Sequence, residues 1–86
     1  MTREEIKDGV VRVLTRIAPE AQGQALRPTV SLRDQLDLDS MDVLNFVIAL
    51  HEQFGIDIPE SDYAKLVNLD AIVGYLAERL VERRPG

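Results

Sequence analysis

Near the middle of the 86-residue chain, Leu36-Asp37-Leu38-Asp39-Ser40-Met41-Asp42 alternates apolar and acidic residues around one serine. Asp39 and Ser40 are both helix-start residues, because their side-chain oxygens accept the unpaired N–H groups of a first helical turn. Asp42 adds negative charge where the helix dipole is positive. The stretch therefore places Ser40 at, or next to, a helix N-terminus with its hydroxyl exposed. Two roles suit such a hydroxyl: capping the helix, the ordinary role of a serine here, or carrying a phosphate-linked group that the free N–H groups and the dipole favour. Other chemistry is not offered. The single histidine, His51, follows Ser40 by eleven residues. At about 1.5 Å each that is about 16 Å, too far to act as a base for Ser40. A lone histidine is no metal site, and no carboxylate pair, nucleophile–base pair or glycine-rich phosphate loop is present. No catalytic residue and no metal ligand is assigned, and the chain is not expected to be an enzyme.

The charge around Ser40 is one-sided. Asp34, Asp37, Asp39, Asp42, Glu52, Asp57, Glu60 and Asp62 fall between residues 34 and 64 without a Lys or Arg, although the net charge of the chain is only −5. An acidic block repels phosphate backbones, which argues against nucleic acid, and it steers basic protein surfaces toward Ser40. The chain has no cysteine and four aromatics, Phe46, Phe54, Tyr63 and Tyr75. Disulfides and thiolate metal sites are therefore excluded. No apolar run is long enough for a membrane span and no signal-peptide pattern begins the chain, so the cytoplasm is the expected compartment. The length suits one domain over residues 1–86 with a modest core.

Helices must position the serine. Thr2 with Glu5 forms a capping box, and Ile6, Val10, Val13, Leu14 and Ile17 give the buried stripe of a first helix that Pro19 ends. Lys7, Arg12 and Arg16 take its other side. Residues 18–38, with Pro19, Gly23 and Pro28, read as a long connector pinned by Leu26, Val30, Leu32, Leu36 and Leu38. Ser31 opens one short helical turn within it. The second helix runs from about Ser40 to Phe54, and Gly55 ends it. Val43, Phe46, Val47, Leu50 and Phe54 form one apolar stripe along it. Met41, Leu44 and Ile48 form another on the side of Ser40, and one stripe suffices for a small bundle. The second stripe is expected to be exposed in part. Pro59 opens a short helix over Glu60–Leu66, with Ile56, Ile58, Tyr63 and Leu66 inward. Asn68 caps a last helix whose buried stripe is Leu69, Ile72, Val73, Leu76 and Leu80, with Arg79, Arg83 and Arg84 toward its negative end and Pro85-Gly86 as a tail.

The Asp39-Ser40-Met41 site resembles the Asp-Ser-Leu signature of acyl carrier proteins, with Met41 in place of the leucine. The likeness continues through Gly55-Ile56-Asp57-Ile58-Pro59 and the last helix. Glutamates common in the family's second helix are replaced by Asn45 and His51. The resemblance implies an all-α four-helix bundle with three long helices, one short third helix and a long first loop. It further implies that Ser40 is esterified to 4′-phosphopantetheine, delivered from coenzyme A by a phosphopantetheinyl transferase. The arm would carry acyl intermediates as thioesters in fatty acid, polyketide or related lipid biosynthesis. Asp39, Met41, Asp42, Leu44, Asn45, Ile48 and Glu52 would dock acyl-loading and acyl-processing enzymes through their basic surfaces, the carrier acting as a monomer. Phe46, Val47, Leu50, Phe54, Ile58, Tyr63, Leu66 and Ile72 would line an acyl pocket entered near Met41, Leu44 and Tyr63. The core as read, from Val10 and Leu14 to Leu76, contains no buried charge pair locking the helices. Alternatives within the resemblance are a D-alanyl carrier, which also places Asp-Ser-Met at its site, another aminoacyl or peptidyl carrier, or a carrier-like module that is never modified.

Overall fold

The structure, a computed structural model, describes residues 2–23 and 26–82. Arg83, Arg84 and the Pro85-Gly86 tail lie outside the described residues. The first helix, α1, spans Arg3–Ile17. Thr2 caps it: its hydroxyl accepts from the Glu5 amide (3.2 Å), and the Glu5 carboxylate accepts from the Thr2 amide (2.8 Å). The bond from the Thr2 amide foremost, and then the Thr2 side chain, hold the Glu5 carboxyl below its ordinary range. Ile6, Val10, Val13 and Leu14 are fully buried, and α1 packs against both of the other long helices. Gly9 makes that approach close, because a Cβ there would come within 2.8 Å of the Phe54 ring. Its cost in helix propensity, about 1 kcal/mol, is thus tied to seating an aromatic ring against the α1 backbone.

The connector is more ordered than its lack of periodicity suggests. Pro19–Gly23 form a 3-10 turn, and Leu32–Gln35 a four-residue helix, α2, capped by Ser31. The Gln35 side chain ties the intervening chain down. Its oxygen accepts from the Arg27 amide (2.9 Å), and its nitrogen donates to the carbonyls of Arg27 and Val30 (both 2.8 Å). Leu32, Leu36 and Leu38 are buried as expected, and Leu26 and Val30 in part. The connector is also sewn to the far end of the chain. Leu32 N–H donates to Val67 O (3.0 Å), Asp70 N–H to Pro28 O (3.1 Å), and the Asn68 amide to Thr29 O (3.3 Å).

Helix α3 spans Ser40–Phe54, and Gly55 ends it in the left-handed conformation (φ 65°). The His51 ring closes this turn. Its Nδ1 lies 2.9 Å from the Ile56 carbonyl, which can only accept, so Nδ1 carries the proton. The short third helix is a 3-10 segment, Glu60–Lys65, rather than an α-helix. Helix α4 spans Leu69–Glu82, with the Asn68 oxygen accepting from the Ala71 amide (2.8 Å). No strand and no helix long and apolar enough to cross a membrane occurs among the described residues.

Two expectations about the core need correction. Ile58, Tyr63 and Leu66 are only partly buried, because the 3-10 segment lies at the rim of the bundle; Ile56 takes the fully inward position. One buried carboxylate is present after all, paired with partly exposed bases. The Asp62 carboxylate is buried and accepts from the Tyr75 hydroxyl (2.6 Å) and Arg79 Nη2 (3.0 Å), with Lys65 Nζ at 3.2 Å. Arg79 also lies over the Tyr75 ring, 4.9 Å from its centre. A buried carboxylate is tolerable only with such partners.

The Tyr75 hydrogen bond, then that of Lys65, lowers the Asp62 pKa from its ordinary 3.8. A depressed folded-state pKa contributes stability that is present above the unfolded value and is lost as pH falls through the folded one. Asp62→Asn should therefore lower the melting temperature at neutral pH and flatten its fall below about pH 4. Thermal melts of both proteins from pH 7 to pH 2 check this; parallel curves would show that the cluster contributes nothing.

Candidate functional site

The start of α3 sets the chemistry available to Ser40. Asp37 adopts a left-handed conformation (φ 53°), which acidic and amide side chains tolerate better than most. The chain thereby turns so that Leu38 enters the core and Asp39 becomes the N-cap. Asp39 Oδ1 accepts from the Asp42 amide (2.8 Å), and Asp42 Oδ2 accepts from the Asp39 amide (3.3 Å), a reciprocal capping box. Ser40 is consequently the first helical residue and not the cap. Its side chain is exposed and makes no hydrogen bond among the described residues. The box satisfies the amides of Asp39 and Asp42, leaving those of Ser40 and Met41 at the positive end of the helix. A hydroxyl so placed is open to an incoming group, with two N–H donors beside it for a phosphodiester.

Met41, Leu44 and Ile48, on one side of α3, are 62, 39 and 46 % exposed. Asp39, Asn45 and Glu52 are exposed beside them, and Asp42 in part. The acidic surface is smaller than the sequence implies. Asp34, Asp37, Asp39, Glu52, Asp57 and Glu60 face solvent, but Asp62 is turned inward, hydrogen-bonded to Tyr75 and paired with Arg79 and Lys65.

Two cavities follow one another along α3. The nearer, about 200 Å³, lies between α2, α3 and the 3-10 segment, lined chiefly by Leu32, Leu38, Val43, Phe46, Tyr63 and Leu66. The farther is an open groove of about 520 Å³ lined by Val47, Ile48, His51, Ile58, Tyr63 and Arg79 among others. The residues expected to form one acyl pocket are thus divided. Phe46, Tyr63 and Leu66 line the nearer cavity, and Val47, Ile58 and Tyr63 the groove. Leu50, Phe54 and Ile72 line neither, being buried in the core. The sequence reading missed the connector's share of the wall, Leu32 and Leu38, and Val67, which is exposed at the rim. Buried leucines in a segment without periodicity were the available signal. No cluster suited to a metal ion occurs among the described residues.

This geometry agrees with comparisons to known proteins. The family described as "Phosphopantetheine attachment site" matches residues 5–76. An acyl carrier protein of Campylobacter hominis is 38 % identical over 73 residues, covering 85 % of this chain and 86 % of its own. That of Acidothermus cellulolyticus is 30 % identical over 81 residues, 94 % and 95 % of the two chains. A solved acyl carrier protein from Enterococcus faecalis superposes with a TM-score of 0.74 at 30 % identity, over 92 % of this chain and 99 % of the other. The fold and site define a phosphopantetheine-attachment domain. The chain belongs to the acyl carrier protein family: a carrier rather than an enzyme, whose cofactor is covalent phosphopantetheine. A carrier role entails docking with a transferase and with the enzymes that handle the cargo.

Proposed function

We propose that Ser40 is the attachment residue. Its Oγ displaces the nucleotide half of coenzyme A on a phosphopantetheinyl transferase, forming the phosphodiester of the arm. The observation that carries this reading is the division of labour at the start of α3, where Asp39 caps the helix and the Ser40 hydroxyl is left unengaged and exposed. The arm supplies the thiol that the cysteine-free chain lacks, and it holds acyl intermediates of fatty acid, polyketide or related lipid biosynthesis. The reading takes residues 1–86 as one carrier unit, monomeric and cytoplasmic. The predominantly apolar lining of the cavity beside Ser40 supports alkyl cargo over the aminoacyl cargo of a D-alanyl carrier. Burying each methylene there gains about 0.8 kcal/mol, less the cost of widening the cavity.

Met41, Leu44 and Ile48 form the apolar centre of the docking surface, with Asp39, Asp42, Asn45 and Glu52 around them. Association with basic enzymes should slow as salt rises, since exposed charges are screened over about 8–10 Å near physiological ionic strength. Asp39→Asn keeps a competent cap, so its effect on loading reports charge. Asp39→Asn and Asp42→Asn should each slow loading by the transferase more than Glu4→Gln, which lies on α1 outside the acidic block. Equal rates for all three at low salt would reduce the block to a solubility device.

A further inference from the structure

Tyr63 is common to the linings of both cavities. Along α3 the nearer cavity is reached at Val43 and Phe46 and the groove at Val47, Ile48 and His51, so the two lie in sequence outward from Ser40 with Tyr63 at their junction. They also differ in chemistry. The nearer is walled mostly by aliphatic side chains, with Ser31 and Arg33 among its lining, whereas the groove brings in three titratable side chains, His51, Asp57 and Arg79. The segment bearing Tyr63 is held in place. Its neighbour Asp62 is bonded to Tyr75 and Arg79 of α4 and to Lys65, so moving the Tyr63 backbone outward would unpair a buried carboxylate. We infer that Tyr63 is the end wall of the cargo cavity and sets the length of acyl chain this carrier shelters, with the Asp62 cluster fixing the wall's position.

The inference rests on the reading that acyl cargo enters beside Ser40, and it adds a length to it. An apolar cavity of roughly 150 Å³ admits benzene, six carbons. The nearer cavity, at about 200 Å³, therefore shelters about eight carbons by the same scale. Removing the phenol ring frees about one further ring's volume and opens the way to Val47 and Ile58, extending the sheltered length to about fourteen carbons.

The test is a series of saturated acyl chains of increasing length, loaded on the holo forms of the native protein, Tyr63→Phe and Tyr63→Ala. Each melting temperature is compared with that of the same variant unacylated, and Tyr63→Leu serves if the alanine variant does not fold. In the native protein and Tyr63→Phe, the gain should rise to about eight carbons and then level. In Tyr63→Ala it should keep rising to about fourteen, and the methyl resonances of Val47 and Ile58 should shift with the longer chains only in this variant. A gain that levels at the same length with and without the ring overturns the wall and leaves acyl sequestration standing. No gain at any length in the native protein overturns sequestration, and the wall with it.

Discussion

Replacing Ser40 by alanine is expected to abolish attachment of the phosphopantetheine arm and to leave the fold almost untouched. Both halves follow from the start of α3. The hydroxyl is the only nucleophile the site presents, so without it no phosphodiester forms, and intact mass after incubation with a transferase and coenzyme A should show no added arm. Because Asp39 and Asp42 satisfy the helix end between them, the lost hydroxyl takes no cap with it. The stability change should stay within about 0.5 kcal/mol, as for ordinary surface positions. Asp39→Ala should do the reverse, costing about 0.5–2 kcal/mol through the lost cap while keeping a modifiable hydroxyl. Arm addition to the Ser40→Ala protein would move the attachment elsewhere and remove the basis of the proposed site.

The second large effect separates the two sides of α3. Leu50 is fully buried, while Ile48, two residues earlier, is half-exposed. Leu50→Ala should cost about 2–5 kcal/mol, the lost transfer energy plus the cavity left behind. Domains of this size have roughly 5–15 kcal/mol in all, so much of the variant should be unfolded on moderate heating. Ile48→Ala should cost only about 0.5 kcal/mol but raise the concentration of carrier that a loading or elongating enzyme needs for half-maximal rate. Comparing melting temperature with enzyme kinetics for the pair decides the matter. Equal melting losses would mean that Ile48 is part of the packed core, and an unchanged kinetic profile would take it out of the docking surface.

The parts of this protein legible in its sequence are those governed by neighbours. Thr2 with Glu5, Gly55 after Phe54, and Asn68 before α4 act over three or four residues, and each terminus lies where those residues imply. The exposed second stripe of α3 was legible for a related reason, since helical spacing alone leaves more apolar surface than a small bundle covers. Asp62 was not legible. Lys65 is its one local partner; Tyr75 and Arg79, which bond it to α4, stand 13 and 17 residues away. Which of Asp39 and Ser40 caps the helix was likewise open, because both are good caps in adjacent positions; the left-handed Asp37 settles the phase. The meeting of the two cavities at Tyr63 depends on where the connector's Leu32 and Leu38 come to lie, which no periodic pattern encodes.

The connector's position has a kinetic consequence. The bond from Leu32 N–H to Val67 O, with those joining Pro28 and Thr29 to Asp70 and Asn68, forms a seam between the connector and the start of α4. Leu32 and Val67, its central pair, both line the cavity beside Ser40. Parting the seam would break three hydrogen bonds at the mouth of the cavity and none within α1, α3 or α4. It is therefore a sub-global opening, lower in free energy than unfolding of the whole chain. The Leu32 amide should exchange its hydrogen with solvent faster than the buried amides of α1, at a rate set by the fraction of molecules in which the seam is open.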